Sequence, residues 1–466
     1  MPPLKRLLAA AVMLAVATLQ CRRAEGVPKD PVEKEAEDAL VAYIRIDTSN
    51  PPGNETAGAQ FLRDLLLKEG IEARLLGPDP ARQSVYARLA SGTNEKALIL
   101  AHHIDVVPAN AAEWARPPFS GARDGGYIWG RGALDVKSLG IAELMAFIDL
   151  KRRNVKLRRD VIFLALADEE LGGISGARAI LEKHPDLFRN AGFVLNEGGY
   201  NETVVDKITF WGIENQQKVP LFLRLHAKGM PGHSASPPDN GGTVAKLVRA
   251  MNAVLSIPTP YRLNADVANY FHLAGRHRKD ARGQFIRTIA EPLDVARIEK
   301  VLTPGYKALL RNTITLTRVA GGLSTNAIPA AVSADVDIRL LPDEQSSAMI
   351  ERVKAEVGEH AEVEVLLQSE GTPATPVDTE LFDVLAKAMK ADEPGSAVEP
   401  IVGAGTSDSR YFRAKGMVAY GIAPFKVNYY DADNVHGADE RIRARFFAEG
   451  VRLMRRIVTD FCAAPK

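Results

Sequence analysis

The sequence predicts an α/β protein with a mostly parallel sheet and an inserted α+β domain. Two short, fully apolar runs, ALILA at 97–101 and VIFLA at 161–165, flank a helical pattern at 136–152. Continuous apolar runs are typical of buried parallel strands, and strands that alternate with helices form a layered α/β domain. From 220 to 227 the residues alternate between apolar and polar, which is typical of a sheet with one solvated face.

The other predicted elements follow this division. Helices are predicted at 31–46, 57–69, 241–254, 345–357, 378–392 and 443–460, and further strands at 313–320, 331–340 and 362–367. The charged stretch 255–310 is predicted to hold extra helices. We therefore expect a main domain in two parts, 27–216 and 370–466, with a lid or dimerisation domain inserted at 217–369.

Length and composition narrow the class of protein. A chain of 466 residues exceeds one ordinary core, which favours two domains. Hydrophobic residues at 46% and charged residues at 25% are typical of a soluble globular protein. The 59 basic and 58 acidic residues give a net charge of +1, which argues against nucleic acid as a partner.

The N-terminus has the layout of a leader sequence. Two basic residues precede an apolar stretch at 7–19, which contains an A-x-A cleavage pattern at 15–17. We expect a signal peptide or anchor over 1–26, and thus an exported protein, periplasmic or secreted. Cys21 leaves open a lipid tether to the membrane. Because only Cys462 follows the leader, no internal disulfide is expected.

Five clusters of acidic residues and histidines each follow or adjoin an apolar run. They are AHHIDVVP (101–108), GRGALDVK (130–137), ADEELGG (167–173), LNEGG (195–199) and NVHGADE (434–440). Together they offer two imidazoles and three carboxylates, a set that suits a pair of divalent ions. Ligands bind at the carboxyl edge of parallel sheets, so we expect the clusters to meet there. The pattern predicts an enzyme.

The first two clusters allow specific roles. Residues i and i+2 of a strand point to the same side, so His103 could bind metal while Asp105 accepts its other ring N–H. The alternative is a buried His–Asp pair without metal. Asp135 has two oxygens and could bridge two cations, although a lone Asp before a helix is more often a cap or turn residue.

The remaining clusters add carboxylates and a second imidazole. Three adjacent acids at 168–170 repel one another unless cations lie nearby, so one could bind metal while the next reaches a water. A solvated acidic loop is the alternative. Glu197 is a better zinc ligand than the neighbouring Asn196. His436 lies in a polar loop, and either Glu197 or His436 alone would most often be a surface residue.

With these clusters the chain resembles the family of two-zinc amidohydrolases and exopeptidases that includes aminoacylase, carboxypeptidase S, acetylornithine deacetylase and bacterial glutamate carboxypeptidase. The resemblance covers about 33–460. It is closest to the carboxypeptidase S and N-fatty-acyl amino acid hydrolase branch, through the strings EWARPPFSG (113–121), GHSASPP (232–238), TNAIP (325–329) and SDSRYF (407–412).

The resemblance implies roles for ten residues. The ligands of two Zn²⁺ per subunit, with Co²⁺ or Mn²⁺ as substitutes, would be His103, Asp135, Glu170, Glu197 and His436. Asp135 would bridge, Asp105 would orient His103, and Glu169 would be the general base. His233 would help to hold the oxyanion, often in the other subunit of a dimer. Arg410 and Asn326 would grip the free carboxylate of the substrate.

Two positions depart from the family pattern. Val136 replaces an Asp that often follows the bridging Asp in this branch, and Asn196 replaces an acid before Glu197. Both changes reduce the acidity around the metals. Neither removes a ligand or Glu169, so the resemblance still implies an active enzyme.

The expected reaction is hydrolysis of an amide bond next to an amino acid with a free carboxylate, most of all in N-acyl amino acids. Carboxypeptidase or dipeptidase activity on short peptides is the alternative, and an inactive binding module on the same fold is a further one. The resemblance implies a homodimer through the inserted domain. The stretch 255–310 could instead cover the edge of its sheet and keep the protein monomeric.

Overall fold

The computed structural model describes residues 30–204 and 206–465. The leader predicted over 1–26, with Cys21, lies outside the described residues. In the described part of the chain, no helix combines the length and apolar character that a membrane span needs.

The helices lie close to their predicted positions. They are α1 (Pro31–Ile44), α2 (Glu55–Lys68), α3 (Lys137–Arg152), α4 (Ala179–Lys183), α5 (Gly242–Leu255), α6 (Ala265–His277), α7 (Ala281–Ile286), α8 (Val295–Val301), α9 (Pro304–Ala308), α10 (Ser346–Val357), α11 (Glu380–Asp392), α12 (Ser409–Ala414), α13 (Tyr429–Ala432) and α14 (Ala444–Cys462). Local capping sets several starts: the side chain of Asp30 accepts the Val32 N–H before α1, and Thr379 accepts the Phe382 N–H before α11.

The strands also follow the predicted pattern. They are β1 (Ala73–Leu76), β2 (Ser84–Leu89), β3 (Ala97–His103), β4 (Ala122–Asp124), β5 (Tyr127–Trp129), β6 (Val161–Leu166), β7 (Ala191–Asn196), β8 (Tyr200–Val204), β9 (Lys207–Gln217), β10 (Val219–Lys228), β11 (Gly232–His233), β12 (Thr313–Gly321), β13 (Ala327–Ile328), β14 (Ala331–Leu340), β15 (Glu362–Gln368), β16 (Ala397–Gly403), β17 (Val418–Gly421) and β18 (Arg441–Arg443).

The main sheet has the order β1-β2-β6-β3-β7-β17-β9-β16, and β8 pairs with β9. Its centre is parallel, since β3 pairs in parallel with β6 and β7, and β7 with β17. The two apolar runs are β3 and β6, and every residue of both strands is buried. The predicted mostly parallel sheet is confirmed. It brings the carboxyl ends of β6, β3 and β7 to one edge.

Helices cover both faces of this sheet. Along β3, Leu98 and Leu100 pack with α1, α3 and α14 on one face, whereas Ile99 and Ala101 pack with α4 and α12 on the other. Burial on both faces explains why the strand carries no polar residue before His102. The two cores hold the sheet edge in place, and the candidate site lies on that edge.

The second sheet is antiparallel, in the order β12-β14-β10-β15, and belongs to the lid. One face packs on α5 and α10 around a separate apolar core. Along β14, buried and half-buried residues alternate, as the predicted one-sided sheet requires. The sheet begins at Val219 and ends at Gln368, beside the predicted domain boundaries.

The extra helices predicted in 255–310 are α6 to α9, here called the helical insert (258–312). Although the insert lies within the lid sequence, its apolar side chains share a core with Phe210, Ile401 and Val402 of the main domain. The insert thus packs beside β9 and β16. On the outer lid strand β12, Val319 is 64% exposed, so the insert does not cover this part of the lid edge as one alternative expected.

Candidate metal centre and active site

The five predicted metal ligands meet at the carboxyl edge of the main sheet. His103 is the last residue of β3, Glu197 directly follows β7, and Glu170 lies in the turn after β6. Asp135 precedes α3, and His436 lies in the loop before β18. Residues separated by more than 300 positions in the chain therefore come within a few ångströms of one another.

One carboxylate faces both imidazoles. Asp135 Oδ1 lies 3.0 Å from His103 Nε2, and its Oδ2 lies 3.1 Å from His436 Nε2. Glu197 Oε1 is 3.6 Å from His103 Nε2, and Glu170 Oε2 is 3.3 Å from His436 Nε2. Asp135 thus has the arrangement that a bridging ligand requires.

These residues form two overlapping groups that could each hold a cation. In the first, potential ligand atoms of His103, Asp135 and Glu197 lie within 4.8 Å of one another, and in the second those of Asp135, Glu170 and His436 do. Imidazole nitrogen and carboxylate oxygen are the donors that zinc-like ions prefer. Glu170 Oε1 is also buried without a hydrogen-bond partner in the described chain. A nearby cation would compensate it, so the residues fit a two-metal centre.

The Asp135 loop is held by Glu440, a residue to which the sequence reasoning assigned no role. Glu440 is fully buried and accepts hydrogen bonds from the backbone N–H groups of Gly132, Leu134 and Asp135. Arg131 donates to the same carboxylate at 2.7 Å. Its position four residues after His436, within the NVHGADE cluster, was the signal that could have indicated it.

Asp105 has a wider task than the predicted orientation of His103. His103 Nδ1 lies 2.8 Å from the main-chain oxygen of Asp105 but 3.6 Å from its carboxylate. That carboxylate accepts the backbone N–H groups of Glu169 and Glu170, each at 3.1 Å, and the Asn50 side-chain amide at 2.9 Å. Asp105 therefore also fixes the turn that carries Glu169.

Burial controls the protonation of the acids in the turn. The pKa of Glu169 is raised to about 8, chiefly by burial; the nearby carboxylates of Asp408 and Glu170 also raise it, while His103 and Arg410 lower it. Burial also raises the pKa of Glu170 and holds the pKa of Glu197 well above its usual range. A general base works best with a pKa near the working pH, which is the range that Glu169 has here.

Arg410 lies beneath the Glu169 turn, and it is not part of the cavity lining. Its guanidinium donates to the carbonyls of Gly172 and Ser407, at 2.7 and 2.6 Å, and lies 3.9 Å from a Glu169 carboxylate oxygen. Beside it, Asp408 is buried, and neither carboxylate oxygen has a hydrogen-bond partner in the described residues. The motif reasoning did not single out Asp408, although it belongs to SDSRYF.

His233 and Asn326 lie apart from the five ligands. They belong to the lid ribbon, here defined as the two-stranded antiparallel sheet of β11 and β13 with the turns beside it, where both residues are exposed. His233 Nδ1 accepts the Ala235 N–H at 3.0 Å, and the Asn326 carbonyl accepts the Ser234 N–H at 3.1 Å. Within the described chain, neither side chain lines the cavity of its own subunit.

A cavity of about 1,700 Å³ opens over the candidate centre. Asp135, Glu169, Glu170, Glu197 and His436 all line it, together with residues of the lid sheet and of the helical insert. Typical small-molecule pockets have roughly 300–1,000 Å³. The cavity is therefore larger than a pocket for a small ligand needs.

The fold and this centre define a metal-dependent hydrolase. Comparison with known proteins supports that class. A sequence model of Peptidase family M20/M25/M40 matches residues 99–460. The chain belongs to this family.

Individual relatives lie at moderate identity. The N-fatty-acyl-amino acid synthase/hydrolase PM20D1 of Xenopus tropicalis is 29% identical over 454 residues, which cover 92% of this chain and 87% of the relative. Aminoacylase-1A of Rattus norvegicus is 27% identical over 429 residues, 91% and 94% of the two chains. The crystal structure of the family M20 metallo-carboxypeptidase Sso-CP2 from Sulfolobus solfataricus has a TM-score of 0.71 at 20% identity, over 91% of this chain and 98% of that one.

Proposed function

We propose that this protein hydrolyses N-acyl amino acids, at the amide bond between the acyl group and an amino acid with a free carboxylate. The observation that carries the proposal is the cavity of about 1,700 Å³, which is lined both by residues of the candidate metal centre and by apolar side chains. An amide with a sizeable acyl group suits such a space better than a dipeptide does. The names of the relatives, an N-fatty-acyl-amino acid hydrolase and an aminoacylase, support the same substrate class.

We propose Zn²⁺ as the metal, with Co²⁺ or Mn²⁺ as substitutes. His103, Asp135 and Glu197 would hold one ion, and Asp135, Glu170 and His436 the other. When bound, such ions polarise the amide carbonyl and make water more acidic. The donor set of nitrogen and oxygen atoms supports zinc over softer metals.

Glu169 is proposed as the general base and acid. It would take a proton from the attacking water and pass it to the amide nitrogen as the C–N bond breaks; the second proton of the water also goes to the amine, so that water and amide become carboxylate and ammonium. Its raised pKa suits both transfers. Asp105 would hold Glu169 in position through the backbone N–H bond, and Arg410 would support the turn from below.

His233 is proposed to act from a second copy of the chain. Its exposure on the lid ribbon supports this role, because an exposed imidazole could enter a partner's cavity. A homodimer through the lid would deliver it, and Asn326 of the same ribbon would bind the substrate carboxylate. Arg410 could bind the substrate carboxylate, as predicted, only if its guanidinium gave up its hydrogen bond to the carbonyl of Gly172 or of Ser407. We also propose that the protein is exported through its leader.

The experiment is to load residues 27–466 with Zn²⁺ and measure amine release from N-acyl amino acids and from Gly-X dipeptides. Faster hydrolysis of the acyl substrates supports the proposal. Faster cleavage of the dipeptides would instead assign an exopeptidase. No turnover of either substrate, with zinc bound, would favour the inactive binding module. A chelator should abolish the activity and added zinc should restore it.

A further inference from the structure

The helical insert packs on the main domain and not on the core of the lid sheet. Its apolar residues, such as Phe271 and Ile298, are buried against Phe210, Ile401 and Val402 of the main domain. The separate core of the lid sheet contains none of these described residues. Because apolar burial couples the insert to the sheet that carries the candidate metal ligands, the insert keeps a constant position relative to them.

A buried lysine fixes the end of the insert. Lys218 is the single residue between β9 and β10, and it is 1% exposed. Its amino group donates to the carbonyls of Ala308 and Arg311, at 2.9 and 2.8 Å, and burial lowers the pKa of Lys218 to about 7. These hydrogen bonds, which satisfy buried groups on both sides, hold the C-terminal end of α9 against the junction of the two domains. The segment from Thr303 to Leu309, here called the insert wall, is therefore anchored at its C-terminal end.

This wall faces the cavity above the candidate metal centre. The insert residues that line the cavity are Tyr270, Thr303, Gly305, Tyr306 and Leu309. Across from them the lid sheet contributes Phe222 and Leu367, which are apolar. Aromatic and aliphatic walls on both sides favour an apolar occupant, since water leaves such surfaces at a gain in free energy.

The charged side chains of the lid that line the same cavity are largely paired with each other. Arg224 donates to both oxygens of Asp335, at 2.6 and 2.9 Å, and Arg339 donates to both oxygens of Asp337, at 2.7 and 3.0 Å. Bidentate pairs of this kind satisfy both partners. The side chains on which a neutral chain can lie are then the apolar lining residues, Tyr270, Tyr306 and Leu309 of the insert and Phe222 and Leu367 of the lid.

We propose that the helical insert is the element that selects the acyl group, and that it accepts an apolar chain several methylenes longer than acetyl. This inference rests on the proposed function. Burial of one methylene favours binding by roughly fourfold, so the specificity constant kcat/KM should rise with chain length until the wall is filled. The insert would then determine substrate range without a contact to the reacting atoms.

Two variants each add a large side chain at an insert residue that lines the cavity. A Cβ at Gly305 would have no heavy atom within 4 Å, so Gly305→Phe introduces a side chain without a clash at its base. Thr303→Trp is a second, independent variant, and it loses no helix cap because Thr303 makes no side-chain capping bond. The control is Val295→Phe, since Val295 lies on α8 of the same insert, is 52% exposed and is not part of the cavity lining.

The measurement is kcat/KM for leucine acylated with acetyl, octanoyl and palmitoyl groups, together with bound zinc and the thermal midpoint of each variant. We expect the wild type to prefer the longer chains. We expect the ratio of palmitoyl to acetyl activity to fall by about tenfold or more in Gly305→Phe and Thr303→Trp, and to stay near the wild-type value in Val295→Phe.

Other outcomes separate the two proposals. If the wild type hydrolyses all three substrates and both cavity variants keep its ratio of palmitoyl to acetyl activity, only the role of the insert is overturned. A wild-type preference for acetyl would overturn the long-chain assignment. A wild type that binds zinc and cleaves Gly-X dipeptides but none of the acyl substrates would overturn the proposed function itself, and the inference with it.

Discussion

The edge of the main sheet and the lid ribbon carry the two sets of predicted site residues in opposite settings. At the sheet edge, His103 and Glu170 are held between buried strands and hydrogen-bonded turns, within a few ångströms of their partners. On the lid ribbon, His233 and Asn326 are exposed, and their described contacts are within the ribbon and its turns. Metal ligands need a site that exists before substrate arrives, whereas a residue supplied to another subunit must be exposed. The comparison predicts that substitutions at the sheet edge will abolish activity, whereas the activity lost through a substitution on the ribbon can be restored by a second chain.

The largest effect is expected at the residue that both cation groups share. Asp135→Asn keeps the size of the side chain but removes the charge that faces His103 and His436. We expect bound zinc to fall well below that of the wild type and hydrolysis to become undetectable. Metal content by mass spectrometry and amine release would check this. Full zinc occupancy with activity would show that the two groups do not share a ligand.

The next effect separates catalysis from metal binding at the same edge. Glu169→Gln should lower kcat by about 10²–10⁴-fold, the usual contribution of a general base, because the amide cannot accept the proton of water. Bound zinc should remain near the wild-type amount, which is the control within the same sample. Loss of zinc together with activity would make Glu169 a ligand and not the base.

The prediction for the lid ribbon uses two inactive variants together. His233→Ala should lower kcat by about 10²–10³-fold, typical of a lost oxyanion donor, with zinc content unchanged. After unfolding and refolding a mixture with Glu169→Gln, about a quarter of wild-type activity should return, because half of the sites in each mixed dimer regain both residues. If native mass spectrometry detects mixed dimers but no activity returns, His233 acts within its own chain.

The smallest effect is expected from the support of the Glu169 turn. The backbone N–H groups of Glu169 and Glu170 bond to different oxygens of Asp105, so Asp105→Asn keeps an acceptor for only one of them and also loses the negative charge that strengthens the bonds. We expect kcat to fall by about 10–100-fold, as for other residues that orient metal ligands. A matched control is Glu113→Gln, an exposed acid outside the cavity lining, which should leave kcat unchanged. An equal loss in both variants would exclude a specific role for Asp105.

Much of this molecule could be predicted without the structure. The apolar runs of β3 and β6 indicated a parallel core because burial on both faces excludes polar residues, and Gly or Pro breaks set the ends of several helices. Three of the five metal-capable clusters, those of His103, Glu170 and Glu197, stood out because each directly follows an apolar run. The ends of parallel strands meet at one edge, so their closeness in space was a consequence of the predicted topology.

Other features depended on contacts between distant segments. The role of Glu440 rests on burial and on backbone N–H groups of a loop about 300 residues earlier in the chain, and the burial of Asp408 without a hydrogen-bond partner among the described residues is likewise a property of the packed fold. The helical insert has amphipathic helices, but their spacing does not say that they pack on Phe210 and Ile401 instead of the lid. A short-range pattern fixes which face of a helix is apolar and leaves its partner open.

The sequence by itself determined the element types, the division between a mostly parallel and an antiparallel sheet, and the set of candidate ligands, because these follow from periodicity, capping and donor chemistry along a few neighbouring residues. Only the tertiary structure decided that Asp135 faces both imidazoles, that Asp105 supports the Glu169 turn, and that the insert closes one side of a large cavity. Each of these depends on the free energy of packing between segments remote in the chain, which is a property of the whole fold.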